Sequence, residues 1–352
     1  MTEPFVLMNP GPINVPERVR RALADCEDQC HREPEYLALQ TRVREKLVDV
    51  FDVADTYDPA LLTGSGTAAM EAMVCSVVGD GVLVLDNGVY GDRLMRMAES
   101  HGIRAKRLEA DWLERHDPAA VEAALEDGLD TIACVHHETT TGLLNDVPAI
   151  AEVARRAGRR LVVDSVSGLA GETLDFAAVR PSAVCCTANK CIEGLPGVAF
   201  VLVAKGTKLR KRSVYFDLET TIAKQAAGDT PFTPAIQVMA AFEAALDELK
   251  RETVAGRQQR YARASRLIRK ALRDLGLELL LPPAKLSNTI TCAKLPDGVP
   301  YEQIHERMRT EGYVLYAGQG DLRMTAFRVS NMGQISTEAL GRFGPALERA
   351  IS

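Results

Sequence analysis

Five short stretches of this chain hold residues able to do chemistry, and each follows an apolar run of strand length. Gly64-Ser65-Gly66-Thr67 precedes a helix-forming run. Glycines there let the backbone approach an anion, and a helix N-terminus offers it unpaired N–H groups. Tyr90 lies between Gly88 and Gly91, where its ring can cover a flat ligand or pack a helix start. Thr139-Thr140-Thr141 supplies three hydroxyls in a row. Asp164 ends the apolar run Leu161-Val162-Val163, so its carboxylate is partly buried and needs a partner, if it is not simply a helix cap. Lys190 follows Thr187-Ala188-Asn189. A lysine taken out of water has a depressed pKa and can condense with an aldehyde, whereas on the surface it is merely solvated.

The elements that must position these residues alternate in type. The apolar runs predict strands over 59–63, 82–86, 104–108, 131–136, 160–164, 183–187 and 198–204. Amphipathic stretches predict helices over 67–78, 90–101, 118–126, 147–157 and 174–179. Such alternation implies an α/β fold with a largely parallel sheet covered on both faces. Sites on such sheets lie beyond the carboxyl ends of the strands, where all five stretches fall. After about Lys205 the pattern changes. A Pro-flanked loop around Thr233 leads into helices over 235–250 and 257–275, the second basic and expected to show a solvated face. Strands over 288–294, 313–315 and 324–329 and helices over 301–311 and 337–351 complete a smaller α+β domain. The expected division is a large domain over 15–250 and a small one made of 1–14 and 251–352.

Composition narrows the partners. The chain has 352 residues and a formal net charge of −6, which argues against phosphate-backbone binding by nucleic-acid recognition. No apolar run approaches the roughly 20 residues of a membrane span, and the start lacks a signal-peptide pattern. The eight cysteines are too dilute for a disulfide framework, so a reducing cytoplasm is expected. No metal is expected: His136 and His137 are adjacent on a strand and point to opposite faces, and Cys26, Cys30 and His31 lack a second ligand pair.

Taken together, a phosphate cradle, a flat ring, hydroxyls, a carboxylate and a lysine form the set that pyridoxal 5′-phosphate requires. The lysine holds the aldehyde and the Asp keeps the pyridine nitrogen protonated. A rival reading is a nicotinamide dehydrogenase, because Gly64-Ser65-Gly66-Thr67-Ala68-Ala69 fits a dinucleotide fingerprint and Asp86 follows about twenty residues on. That rival has no evident need of Asp164 and Lys190.

At these residues the chain resembles a class V, fold-type I aminotransferase. The motifs PGPINVPERV, GSGTAAMEA, NGVYGDR, HETTTGLLND, VDSVSG, TANKCIEGLPGVAFV, TPFTPAIQ and FRVSNMG occur in order over nearly the whole chain. Within the class, VHHETTTGLLN and ANKCIEGLPGVAFV are most similar to 2-aminoethylphosphonate–pyruvate transaminases, with alanine–glyoxylate aminotransferases near. The resemblance implies a seven-stranded, mostly parallel sheet in the large domain. It makes Lys190 the cofactor-bonded lysine and proton shuttle, and Asp164 the partner of the ring nitrogen. Tyr90 would stack on the ring, Ser65, Gly66 and Thr67 hold the phosphate with Thr187 close by, and Thr139 approach the ring hydroxyl. Thr233 would reach the phosphate of the neighbouring subunit in a homodimer with shared sites. Arg328 would grip the substrate's carboxylate or phosphonate, with Arg32, Arg93 and Asn9 near the substrate.

The sequence departs from the phosphonate pattern at Asn9, where many of those enzymes carry Thr, at Cys30-His31-Arg32-Glu33, and in the short segment 213–229. The function implied is transfer of the amino group of 2-aminoethylphosphonate to pyruvate, giving phosphonoacetaldehyde and alanine. The alternatives are alanine–glyoxylate or another small amino-acid transamination, or a biosynthetic relative that diverts the same carbanion into elimination or replacement.

Overall fold

The computed structural model describes residues 4–352. Its main sheet has seven strands: β1 (Tyr57–Gly64), β2 (Gly81–Asp86), β3 (Arg104–Glu109), β4 (Thr131–Val135), β5 (Arg160–Asp164), β6 (Ala183–Thr187) and β7 (Gly197–Ala204). Their spatial order is β1-β7-β6-β5-β4-β2-β3. Only β7 runs against its neighbours, pairing antiparallel with both β1 and β6. The chain turns back directly after β6, and Lys190 lies in that turn. The strands are apolar on both sides because both faces are covered. Val82 and Val84 of β2 belong to the core under α1 (Gly66–Val77) and α2 (Val89–Ser100), while Leu83 and Leu85 face the helices Pro118–Ala124 and Val147–Arg156. Strand β3, Arg-Ala-Lys-Arg-Leu-Glu, is the exception; it forms one edge, where charges guard against further pairing.

The C-terminal part carries a three-stranded antiparallel sheet in the order β8-β10-β9, with β8 at Ile290–Lys294, β9 at Tyr316–Ala317 and β10 at Ala326–Ser330. Its core, with Ile304, Phe327, Val329, Phe343 and Leu347, is separate from those of the main sheet. The N-terminal strand Val6–Leu7 pairs with Tyr313–Val314, tying the chain's start to this part. The expected strands over 160–164 and 183–187 and the helix over 337–351 form with the bounds expected, and most other elements shift by one to three residues. Three helices were not expected: Glu17–Ala24, Pro34–Val50 and Leu218–Ala226. In the second, Tyr36, Leu39, Val43 and Leu47 recur at helical spacing and are buried.

One expectation holds only in part: Arg263, Arg266, Lys270 and Arg273 are exposed, as a solvated face requires. The basic helix, here α3 (Val254–Asp274), does not simply present its arginines to water. Arg257 is fully buried, its Nη1 donating to Cys191 O at 2.7 Å and its Nε pairing with Glu252 at 2.5 Å. Arg260 pairs with Glu252 and with buried Glu193, each at 2.7 Å. A basic helix looks the same in sequence whether the partners of its arginines are water or buried carboxylates. Here the carboxylate of Glu193, in the turn after Lys190, decides it. Among the described residues no helix is long and apolar enough to cross a membrane.

Candidate active site

The carboxyl ends of β5 and β6 meet the N-terminus of α1, and those of β2 and β4 lead to Tyr90 and Thr139. Glycine is required at position 66, since a Cβ there would lie 2.7 Å from Val166 Cγ1. Ser65 is the N-cap of α1 in extended conformation, yet its hydroxyl makes no capping bond. Among the described residues the N–H groups of Gly66 and Thr67 also have no acceptor. The first turn of α1 thus keeps its donors for an anion. Thr187 lies against it, its hydroxyl bonded to Asn189 Oδ1 at 2.8 Å.

Lys190 reaches back to the N-terminal segment, and its Nζ donates to Pro10 O. Gly11, at φ +106°, gives it room; a Cβ there would come within 3.0 Å of Nζ. Asn9 is buried and spends its amide on Pro12 O at 2.8 Å, so it shapes the turn against Lys190. Desolvation pulls the Lys190 ammonium down to about 8, helped by the positive charges of Arg328 and Arg93 and opposed by Asp164. Asp164, at the end of β5, is 3% exposed and forms no ion pair among the described residues. Burial raises its pKa to about 6, although it accepts the Val166 N–H at 2.9 Å.

Tyr90 and Arg93 share one face of α2, and the Arg93 guanidinium also donates to Thr67 Oγ1 at 3.0 Å. Glu138 is fully buried below Tyr90, accepting its N–H at 3.2 Å and the Thr140 hydroxyl at 2.6 Å. Desolvation raises its pKa to about 7, with Asp164 adding to the rise. Thr139 Oγ1 is buried with no partner among the described residues, and its carbonyl accepts from Arg328 Nη1 at 3.1 Å. Arg328, on β10, is 7% exposed. The structure thus brings Ser65, Gly66, Thr67, Tyr90, Thr139, Asp164, Thr187, Lys190 and Arg328 to one rim. Arg32 stands apart, exposed and paired with Asp229 at 3.2 Å. Thr233 is exposed on the loop next to Thr63. His136 and His137 are engaged separately, by Ser165 and Ser167.

These residues fit pyridoxal phosphate. The orphaned Thr139 hydroxyl, the unpaired buried Asp164 carboxylate and the open N–H groups of α1 each match one polar group of that cofactor. Asp86 does not serve a dinucleotide: its carboxylate is spent on Arg107 at 2.6 Å and on the Gly88 N–H at 3.2 Å.

Comparison with known proteins decides the class. The family described as aminotransferase class-V matches residues 11–333. The chain is a class-V aminotransferase. A 2-aminoethylphosphonate–pyruvate transaminase of Klebsiella pneumoniae is 34% identical, with 99% of this chain and 98% of that protein covered. One from Vibrio cholerae is 33% identical, with 100% and 99% covered. Among solved structures, an alanine–glyoxylate aminotransferase from Nostoc sp. superposes with a TM-score of 0.92 at 26% identity, covering 100% of this chain and 96% of that one. A Thermus thermophilus aspartate aminotransferase gives 0.90 at 28% identity, with 98% of each covered. This aminotransferase has the fold-type I architecture and uses pyridoxal phosphate; the nicotinamide rival is set aside.

The sequence reading placed Arg93 only as a possible substrate contact. The one signal for its bond to Thr67 and its place over Tyr90 is its spacing of three from Tyr90, which puts both on one helical face. Glu138 and Gln319 left no signal that separates them from ordinary polar residues.

Proposed function

We propose that this aminotransferase moves the amino group of 2-aminoethylphosphonate to pyruvate. The observation that carries the reading is Arg328, a buried guanidinium at the rim that holds Lys190, with Nη2 donating to none of the described residues. The substrate amine has no α-carboxylate, so its strong handle is the phosphonate, and pyruvate offers only a carboxylate. One planar fork suits both in turn. The names of the Klebsiella and Vibrio relatives support the same choice.

Bound at this rim, pyridoxal phosphate supplies an aldehyde to take up the amino group and a protonated ring to draw electrons from the substrate carbon. Lys190 Nζ, at about 8, is poised near neutrality to take the proton from that carbon and to return it. Asp164 would hold the ring nitrogen in its charged form, Tyr90 would cover the ring, and Ser65, Gly66 and Thr67 would hold the phosphate. Asn9 positions Pro10 and Gly11 against Lys190.

The reading includes a homodimer in which Thr233 completes the partner's phosphate site. Support comes from the surface beside it: Tyr215 and Phe232 stack at 4.9 Å and stay partly exposed, and Val214 is 87% exposed. It also includes the two-domain division at about 15–250 against 1–14 and 251–352, supported by the pairing of Val6–Leu7 with Tyr313–Val314. Arg32 is assigned to the outer edge of the substrate entrance. The eight free thiols suit a reducing, cytoplasmic setting.

An amine-donor screen tests the substrate. Aminoethylphosphonate with pyruvate should give phosphonoacetaldehyde and alanine. The likeness to the Nostoc alanine–glyoxylate enzyme makes alanine with glyoxylate the competing pair. Brisk turnover of that pair with none of the phosphonate would overturn the assignment and leave the class.

A further inference from the structure

We propose that Gln319 is a specificity residue, distinguishing a tetrahedral phosphonate from a planar carboxylate at the Arg328 fork. The inference rests on reading Arg328 as the anion holder. A guanidinium has five N–H donors. In Arg328, Nε donates to Ala317 O at 2.9 Å, and Nη1 donates to Thr139 O at 3.1 Å and to Gln319 Oε1 at 3.0 Å. Two of these three acceptors are main-chain carbonyls fixed by β9 and by the turn at Thr139. The third is the end of a side chain.

A bidentate grip uses N–H groups of two guanidinium nitrogens side by side. Nη2 is free, and the acceptor that can leave Nη1 without breaking a main-chain bond is Gln319 Oε1. The backbone on either side of Gln319 is closely packed. A Cβ at Gly318 would lie 2.1 Å from Leu322 O, and Gly320, at φ +56°, would bring one within 2.6 Å of Trp112 Cη2. The Gln319 side chain is partly exposed while Arg328 is buried, so it is the acceptor free to turn away.

The exchange has a chemical consequence. When an anion takes the fork, the Gln319 amide turns from accepting with Oε1 to donating with Nε2. A carboxylate spends both oxygens on the fork. A phosphonate has a third oxygen, and Nε2 is the donor for it. Gln319 thus costs a carboxylate its displacement and repays a phosphonate with an extra bond.

The test is calorimetric titration of the holoenzyme with ethylphosphonate and with propionate, which lack the amine and do not react. Gln319→Leu keeps the side-chain size on an accessible loop. It should weaken ethylphosphonate about 10-fold relative to propionate, the worth of one hydrogen bond to a charged group. Gln319→Glu should weaken both anions about 100-fold, because its carboxylate occupies the fork. An unchanged ratio in Gln319→Leu would overturn the role of Gln319. Arg328→Ala separates the premise: if it abolishes both titrations while Gln319→Leu keeps the ratio, only this inference fails. If Arg328→Ala binds both anions as before, the anion site lies elsewhere and the inference falls with that reading.

Discussion

Arg93 carries its guanidinium over the face of Tyr90, 4.6 Å from the ring centroid. The same group donates to Thr67 Oγ1 at 3.0 Å, so one side chain braces both Tyr90 and the first turn of α1. A cation over an aromatic ring is worth about 0.5–2 kcal/mol and a hydrogen bond about 0.5–1.5 kcal/mol. Arg93→Ala should therefore raise the dissociation constant for pyridoxal phosphate about 10-fold, at about 1.4 kcal/mol per factor of ten. Fluorescence titration of the apoenzyme reads this directly. Unchanged affinity would mean that Tyr90 and Thr67 are held by other contacts.

Lys190 should be the residue bonded to the cofactor. Borohydride reduction of the yellow holoenzyme followed by peptide mapping should place the label on Lys190, and a label on Lys205 or Lys208 would refute the assignment. Lys190→Ala should still bind the cofactor non-covalently but lose about 10²- to 10⁴-fold in turnover, the range for removal of a general acid–base group.

Stability of the cofactor-free protein should depend on pH from two opposed sets of buried groups. Burial raises Asp164 to about 6, Glu138 to about 7 and Glu172 to about 8. These folded-state carboxyls hold protons that the unfolded chain has released, so stability falls as pH rises through their range. Burial lowers His116 and His136 to about 4 and His137 to about 3. There the unfolded chain binds the extra protons, so stability falls as pH drops below the ordinary histidine range. The two slopes oppose each other at mildly acid pH. Denaturant midpoints should therefore peak between about pH 4.5 and 6.5. Glu172 also ties the two parts of the chain together, accepting the Asn288 N–H at 2.5 Å. Glu172→Gln should remove roughly 2 kcal/mol of the loss between about pH 6.5 and 8, at about 1.36 kcal/mol per pH unit. An equally steep loss in the variant would refute this.

Hybrid dimers test the shared site. Mixing chains carrying Lys190→Ala with chains carrying Thr233→Trp, each inactive alone, should restore part of the activity. In such hybrids one site has both an intact Lys190 and the partner's intact Thr233. A fully active monomer by light scattering would remove the dimer from the account.

Much of this molecule is written in local sequence. Apolar runs that end in Asp164, in Thr187 and in Asp86 make strands buried on both faces, and their alternation with helices gives parallel strands whose carboxyl ends share one rim. The set of residue types at the strand ends, with Asp164 and Lys190 among them, pointed to pyridoxal phosphate, while the Gly64-Ser65-Gly66 turn alone fitted a dinucleotide as well. Periodicity reports only which face of an element is apolar; it does not report partners far away in the chain. Thus α3 reads as a solvated basic helix until Arg257 is seen bonded to Cys191 O, 66 residues away in sequence. The Pro10 carbonyl meets Lys190 across 180 residues, and the Thr139 carbonyl meets Arg328 across 189. Which nitrogens of the Arg328 guanidinium are engaged is set by Thr139 O from far along the chain and by Ala317 O and Gln319 Oε1 nearby. The residue types at the rim came from the sequence, and their hydrogen-bond assignments came only from the tertiary packing, which brings the Pro10 turn to Lys190 and strand β10 to Thr139.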